Sequence, residues 1–124
     1  MPHRKKLYGL MAQKEKVALG KTATQFRGLT QEHATTTQQG EKIKELMSEK
    51  QQTLQNSTTK YQLQTSHLFT TQLNDQLEVT QNKSEMLQRQ MGRVKQTMAQ
   101  QEHKFSRLCE HRDDAERRLK NDDE

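Results

Sequence analysis

The chain has 124 residues, of which 28% are hydrophobic, 4% aromatic and 30% charged, and its formal net charge is +5. A globular domain of this length normally draws close to half its residues from the apolar set, so a compact core is excluded and an elongated helical assembly or disorder remains. A single proline, Pro2, and a predominance of Gln, Lys, Glu, Arg, Leu and Met select the helical assembly, with the many threonines as the main dissent.

The first segment, Met1 to Tyr8, is basic and no apolar stretch comes after it, and no apolar run of about 18 residues occurs anywhere, so neither a secretory signal nor a membrane span is expected. That reading places the protein in the cytoplasm, where a single cysteine, Cys109, would stay reduced as a small apolar residue beside a helix seam. Charge is unevenly spread. Residues 1–21 carry six Lys or Arg against one acid, 22–82 carry five against six, and 83–124 carry ten against nine.

A first helix is predicted over about residues 4–55. Stepping alternately by four and three from Tyr8 through Ala12, Glu15, Leu19, Thr22, Phe26, Leu29, His33, Thr36, Gly40, Ile43, Met47, Lys50, Leu54, Ser57 and Tyr61 gives nine apolar residues in sixteen. That is a heptad seam, but a weak one. Gly9, Gly20, Gly28 and Gly40 each cost roughly 1 kcal/mol of helix propensity, so this helix needs a partner.

The polar run Gln55–Thr59 marks a turn at about 56–59, with Asn56 suited to a left-handed conformation and Ser57, Thr58 or Thr59 to the N-cap of the next helix. A competing break, or a kink, lies at Ala34–Gly40, where small polar and β-branched residues precede a glycine.

A second helix is predicted over about 60–120. The same stepping from Leu73 reaches Leu77, Thr80, Ser84, Leu87, Met91, Val94, Met98, Gln101, Phe105, Leu108, Arg112, Ala115 and Leu119, and ten of these fourteen are apolar. One face of one long helix is buried. Residues 121–124 read as a frayed acidic tail.

The expected fold is all-α: a single long antiparallel two-helix coiled-coil hairpin over residues 1–124, about 80 Å long. Its seam is expected at Leu19, Phe26, Leu29, Ile43, Met47, Leu54, Leu87, Met91, Val94, Met98, Phe105 and Leu108. A turn near residue 57 would pair residues whose numbers total about 115, bringing Leu7 near Leu108, Leu29 near Leu87 and Ile43 near Leu73. The alternative is a homodimeric structural or tethering coiled coil with extended helices and no turn.

Chemistry-bearing motifs are sparse. A two-helix rod offers no concave pocket, and neither a phosphate-binding glycine loop, a His-Glu-x-x-His pair nor a paired-cysteine set occurs, so neither enzyme activity nor a cofactor or metal is expected. His3, His33, His67, His103 and His111 lack the spacing that puts two ligands on one helical face. Asn56-Ser57-Thr58 and Asn82-Lys83-Ser84 match the glycosylation pattern by chance. Gln101 and Arg112 at seam positions either specify register or, for Arg112, mark the seam's end, where the side chain reaches solvent. The basic residues near both termini form one basic end in a hairpin, suited to an acidic protein socket. A zipper-type DNA reader would need the basic block directly before the heptads on a continuous helix, carrying base-reading Asn and Arg at fixed spacing, and nothing here matches that pattern, so no nucleic-acid partner is expected.

The order Ser66-His67-Leu68-Phe69-Thr70-Thr71-Gln72-Leu73-Asn74-Asp75-Gln76-Leu77, a Gln-rich heptad helix, then Lys104-Phe105-Ser106-Arg107-Leu108-Cys109-Glu110-His111-Arg112 and the acidic Asp122-Asp123-Glu124 resembles the FliJ/YscO-like stalk family of type III export ATPases, flagellar and injectisome. The resemblance covers the whole chain loosely and is specific over roughly residues 66–124. It implies a nonenzymatic stalk at the cytoplasmic face of the inner-membrane export apparatus. Arg4, Lys5, Lys6, Arg107, Arg112, Arg117 and Arg118 would meet the export ATPase hexamer. Phe69, Leu73, Gln76 and Leu77 would meet the cytoplasmic ring of the export gate, with export chaperones as a further partner class. The glycines and the Thr-rich stretch of the first helix depart from a stiff stalk.

Overall fold

A computed structural model describes residues 2–55 and 59–122, with the side chains of Pro2, Leu54 and Asp122 outside the description. Two helices make up these residues, α1 over Pro2–Gln55 and α2 over Lys60–Asp122. They pack against each other antiparallel, as contacts from Lys5 to Glu116 and from Lys50 to Phe69 show. The chain is therefore an all-α helical hairpin, and the extended, unturned arrangement expected as the alternative is not the one this chain adopts.

Helix continuity is a result of local chemistry. α1 runs unbroken through Ala34–Gly40, so the competing break does not occur there. The hydroxyls of Thr35, Thr36 and Thr37 donate to the carbonyls of Gln31, Glu32 and His33 at 2.9–3.1 Å. Bonded one turn back, these hydroxyls share the carbonyls of the helix ladder and are accommodated without breaking it. α2 is capped by Thr59, whose Oγ1 accepts from the Gln62 amide at 3.2 Å, so Thr59 is the N-cap among the three candidates. Asn56, Ser57 and Thr58 lie outside the described residues.

Burial tracks the four-three stepping. In α1 the non-exposed positions include 5, 8, 12, 15, 19, 22, 26, 29, 33, 36, 40, 43, 47 and 50. In α2 they include 66, 70, 73, 77, 80, 84, 87, 91, 94, 98, 101, 105, 108, 112, 115 and 119. Heptad spacing thus decides which face each helix turns to the other.

The register differs from the expected one. Gly40 lies against Thr80 and Gly9 against Arg112, pairs whose numbers total 120 and 121 instead of about 115. The reason is the heptad itself: an antiparallel seam can shift only in steps that keep buried positions facing buried positions. Pairs totalling 120 match Tyr8 with Arg112, Ala12 with Leu108, and Ile43 with Leu77. A total of 116, which joins Leu29 to Leu87 and Ile43 to Leu73, would match the two stripes only at alternate steps, whereas 120 matches them at every step. Leu7, expected beside Leu108, is accordingly 55% exposed.

The residues cluster into two compact units, one of residues 1–28 with 91–124 and the other of residues 29–90. In the first, Ala12, Val94 and Leu108 are buried, and Leu19, Phe26, Met91, Met98 and Phe105 are half-buried. Tyr8 stacks on His111 at 5.3 Å between ring centroids, and Lys104 reaches Glu15 at 3.0 Å. The Oε1 of Gln101 is enclosed without a hydrogen-bond partner among the described residues, a cost of about 1–3 kcal/mol.

In the second unit Leu73 and Leu87 are buried, with Leu29, Ile43, Met47 and Leu77 half-buried. Its seam has a polar layer. Thr36 is 1% exposed and Gly40 is buried, while Thr80 and Ser84 approach from α2. His33 Nε2 and Ser84 Oγ share a hydrogen bond at 3.1 Å, flanked by Lys83 and Glu32 at 3.6 Å. With so few methylenes here, a cleft of about 150 Å³ remains, lined by residues including Thr36, Gly40, Leu77, Thr80 and Ser84.

Candidate functional site

The basic residues of the first unit are arranged by the hairpin. Because α1 and α2 run antiparallel, the first turns of one lie beside the last turns of the other, and Lys5 Nζ donates to Glu116 Oε1 at 3.2 Å. Several of the expected cations are neutralised locally. Lys5 is paired with Glu116, Arg112 sits 3.5 Å from Asp113, and Arg117 donates to Asp114 at 3.0 Å. Arg4, Lys6, Arg107 and Arg118 are exposed with no ion pair among the described residues.

The Glu116 carboxyl is held below the usual glutamate range, first by the hydrogen bond from Lys5 and then by the positive charge of Lys5, with Lys120 and Arg112 assisting. A depressed folded-state value means the contribution is present above the unfolded value and disappears as pH falls through the folded one. The pair is exposed and individually worth little. Lys5→Ala is expected to return the Glu116 carboxyl toward its ordinary value, as read by an NMR titration of the side chain. An unmoved titration would show that Lys5 is not the cause.

The expected gate-contacting residues lie in the second unit and differ in accessibility. Leu73 is 5% exposed and belongs to the seam, and Leu77 is half-buried. Phe69 is half-buried beneath Lys50, whose Nζ lies 4.9 Å from the ring centroid, a cation–π contact that sequence spacing did not reveal. Gln76 is exposed. It lines an open groove of about 500 Å³ with Gln39, Lys42, Ile43, Asp75, Val79 and Thr80. Ile43 and Val79 give the groove its apolar character, and Val79 is 67% exposed.

All described seam candidates are buried or half-buried, from Leu19, Phe26, Leu29, Ile43 and Met47 on α1 to Leu87, Met91, Val94, Met98, Phe105 and Leu108 on α2. The Leu54 side chain lies outside the described set. No group of three or more His, Cys, Asp or Glu side chains among the described residues is arranged to hold a metal ion. Nor is any helix long and apolar enough to cross a membrane. Cys109 is free and half-buried.

Sequence reasoning missed the outward apolar residues of α1, Leu7, Leu10, Met11, Val17 and Leu46, each at least 40% exposed. Their signal was present as apolar residues off the heptad stripe. Comparison of the chain with protein-family models, curated proteins and solved structures gave no match.

Proposed function

We propose that this protein is a nonenzymatic stalk of a type III protein export apparatus, working in the cytoplasm at the inner membrane. In this role it engages the hexameric export ATPase and the cytoplasmic ring of the export gate. The observation that carries the reading is that Arg4, Lys6, Arg107 and Arg118 are exposed, with no ion pair among the described residues, on a hairpin unit where the beginning of α1 and the end of α2 lie side by side. Such a unit suits insertion between acidic loops of a ring. The resemblance over residues 66–124 supplies the identity of the ring.

The gate contact falls on Phe69 and Gln76, with Ile43 and Val79 of the adjoining groove as apolar anchors. Leu73 and Leu77 support that surface from the seam instead of presenting it.

Adding the chain to a purified export ATPase is expected to promote hexamer assembly or raise hydrolysis. The variant with Arg4, Lys6, Arg107 and Arg118 all changed to Glu should lose at least about tenfold of the effect, since reversing several interfacial charges costs more than one decade of affinity. Should the intact chain leave both readouts unchanged, the stalk assignment falls. Phe69→Ala with Gln76→Ala should separately weaken capture by the gate's cytoplasmic domain, and the ATPase response should persist.

A further inference from the structure

The stalk reading leaves the outward face of α1 unused. Leu10 and Val17 sit one heptad apart and two positions beyond the seam residues Tyr8 and Glu15, so both point away from α2. Each is more than half exposed, as is Leu7 one turn earlier. Lys14 and Lys21 come four positions after Leu10 and Val17, on the same face, and are exposed. No carboxylate among the described residues pairs with either. Between His3 and Glu32 the only acid is Glu15, which is turned to α2 and held by Lys104. The strip is thus both apolar and uniformly positive.

Its continuation narrows the choice of partner. Gly20, Thr24 and Gly28, spaced by four, extend the same face and are exposed, and a Cβ added at Gly20 or Gly28 would meet nothing within 4 Å. Missing side chains there leave a shallow hollow into which a ridge of side chains from another helix fits. A lipid surface would gain nothing from such a hollow.

We propose that the outer face of α1, from Leu7 to Gly28, is a docking strip for an acidic amphipathic helix of a partner protein, seated antiparallel or parallel as a third helix. Leu7, Leu10 and Val17 receive its apolar stripe. Lys14 and Lys21 meet its flanking carboxylates, and the glycines let its far end approach closely. The proposal does not depend on the stalk reading, because its test leaves Arg4, Lys6, Arg107 and Arg118 untouched.

The test uses the full chain and a labelled synthetic peptide of about seven helical turns, with leucine along one face and glutamate on its flanks, read by fluorescence anisotropy. Binding is expected to weaken in high salt. It should fall at least about tenfold in Leu10→Ser/Val17→Ser, as loss of central apolar anchors requires. The more telling variant is Gly20→Leu/Gly28→Leu. It replaces poor helix formers by good ones, so circular dichroism should show helix content kept or raised while peptide binding is lost. A version of the peptide with lysine in place of glutamate should not bind. Any of three results would overturn the proposal: no binding of the acidic peptide, equal binding by all variants, or recruitment to phosphatidylglycerol vesicles in place of peptide binding.

Discussion

Truncating Leu87 to alanine is expected to lower the free energy of unfolding by about 2–3 kcal/mol, the lower part of the range for buried leucines. At 2% exposure, Leu87 is the most deeply enclosed leucine among the described residues. It also borders the polar layer, where His33 and Ser84 contribute hydrogen bonding but little apolar area. A two-helix seam is open to solvent at its edges, so water can enter the space left behind, which keeps the cost in the lower part of the range. Urea unfolding monitored by circular dichroism would show the midpoint fall. Val79→Ala, at a 67% exposed position, should stay within about 0.5 kcal/mol and serves as the comparison. Equal midpoints for both variants would mean that the seam is not what holds the helices together.

The opposite sign is expected for the glycines. Gly20, Gly28 and Gly92 stand in continuous helix, none has a positive φ, and a Cβ at any of them meets nothing within 4 Å. No turn or close approach within the chain requires them. Each alanine should therefore recover roughly 0.8–1.0 kcal/mol of helix propensity, and the triple variant about 2–3 kcal/mol, because the sites are far enough apart to add. The same urea experiment reads this as a raised midpoint. A lowered one would indicate a contact at these positions that the hairpin does not contain.

Most of the fold was legible because its cause is periodic. Ten apolar residues in the fourteen-step stripe from Leu73 to Leu119 state which face of α2 is buried, and the weaker stripe of α1 states the same for its partner. The register was only partly legible: totals of 113, 120 and 127 all keep both stripes in contact, and packing selects 120, as Gly40 against Thr80 shows. Counting outward from the midpoint of the turn ignored that constraint, and so placed Leu7 inward. The candidate surfaces were less readable. Lys50 over Phe69 and Lys5 on Glu116 are contacts between the two helices set by side-chain reach, which spacing does not encode. Leu73 satisfied both a seam pattern and a surface motif, and only packing shows that the seam holds it.

The layer of His33, Thr36, Gly40, Thr80 and Ser84 makes the seam of the second unit uneven in strength. On either side of it, α1 and α2 meet through leucine, isoleucine and methionine, whose separation exposes oil to solvent. Within it, parting the helices hands a histidine, a serine and two threonines over to water that solvates them almost as well as the protein does. This short stretch can therefore open and reclose transiently while its neighbours stay joined. The second unit is a clasp whose middle is held less tightly than its ends.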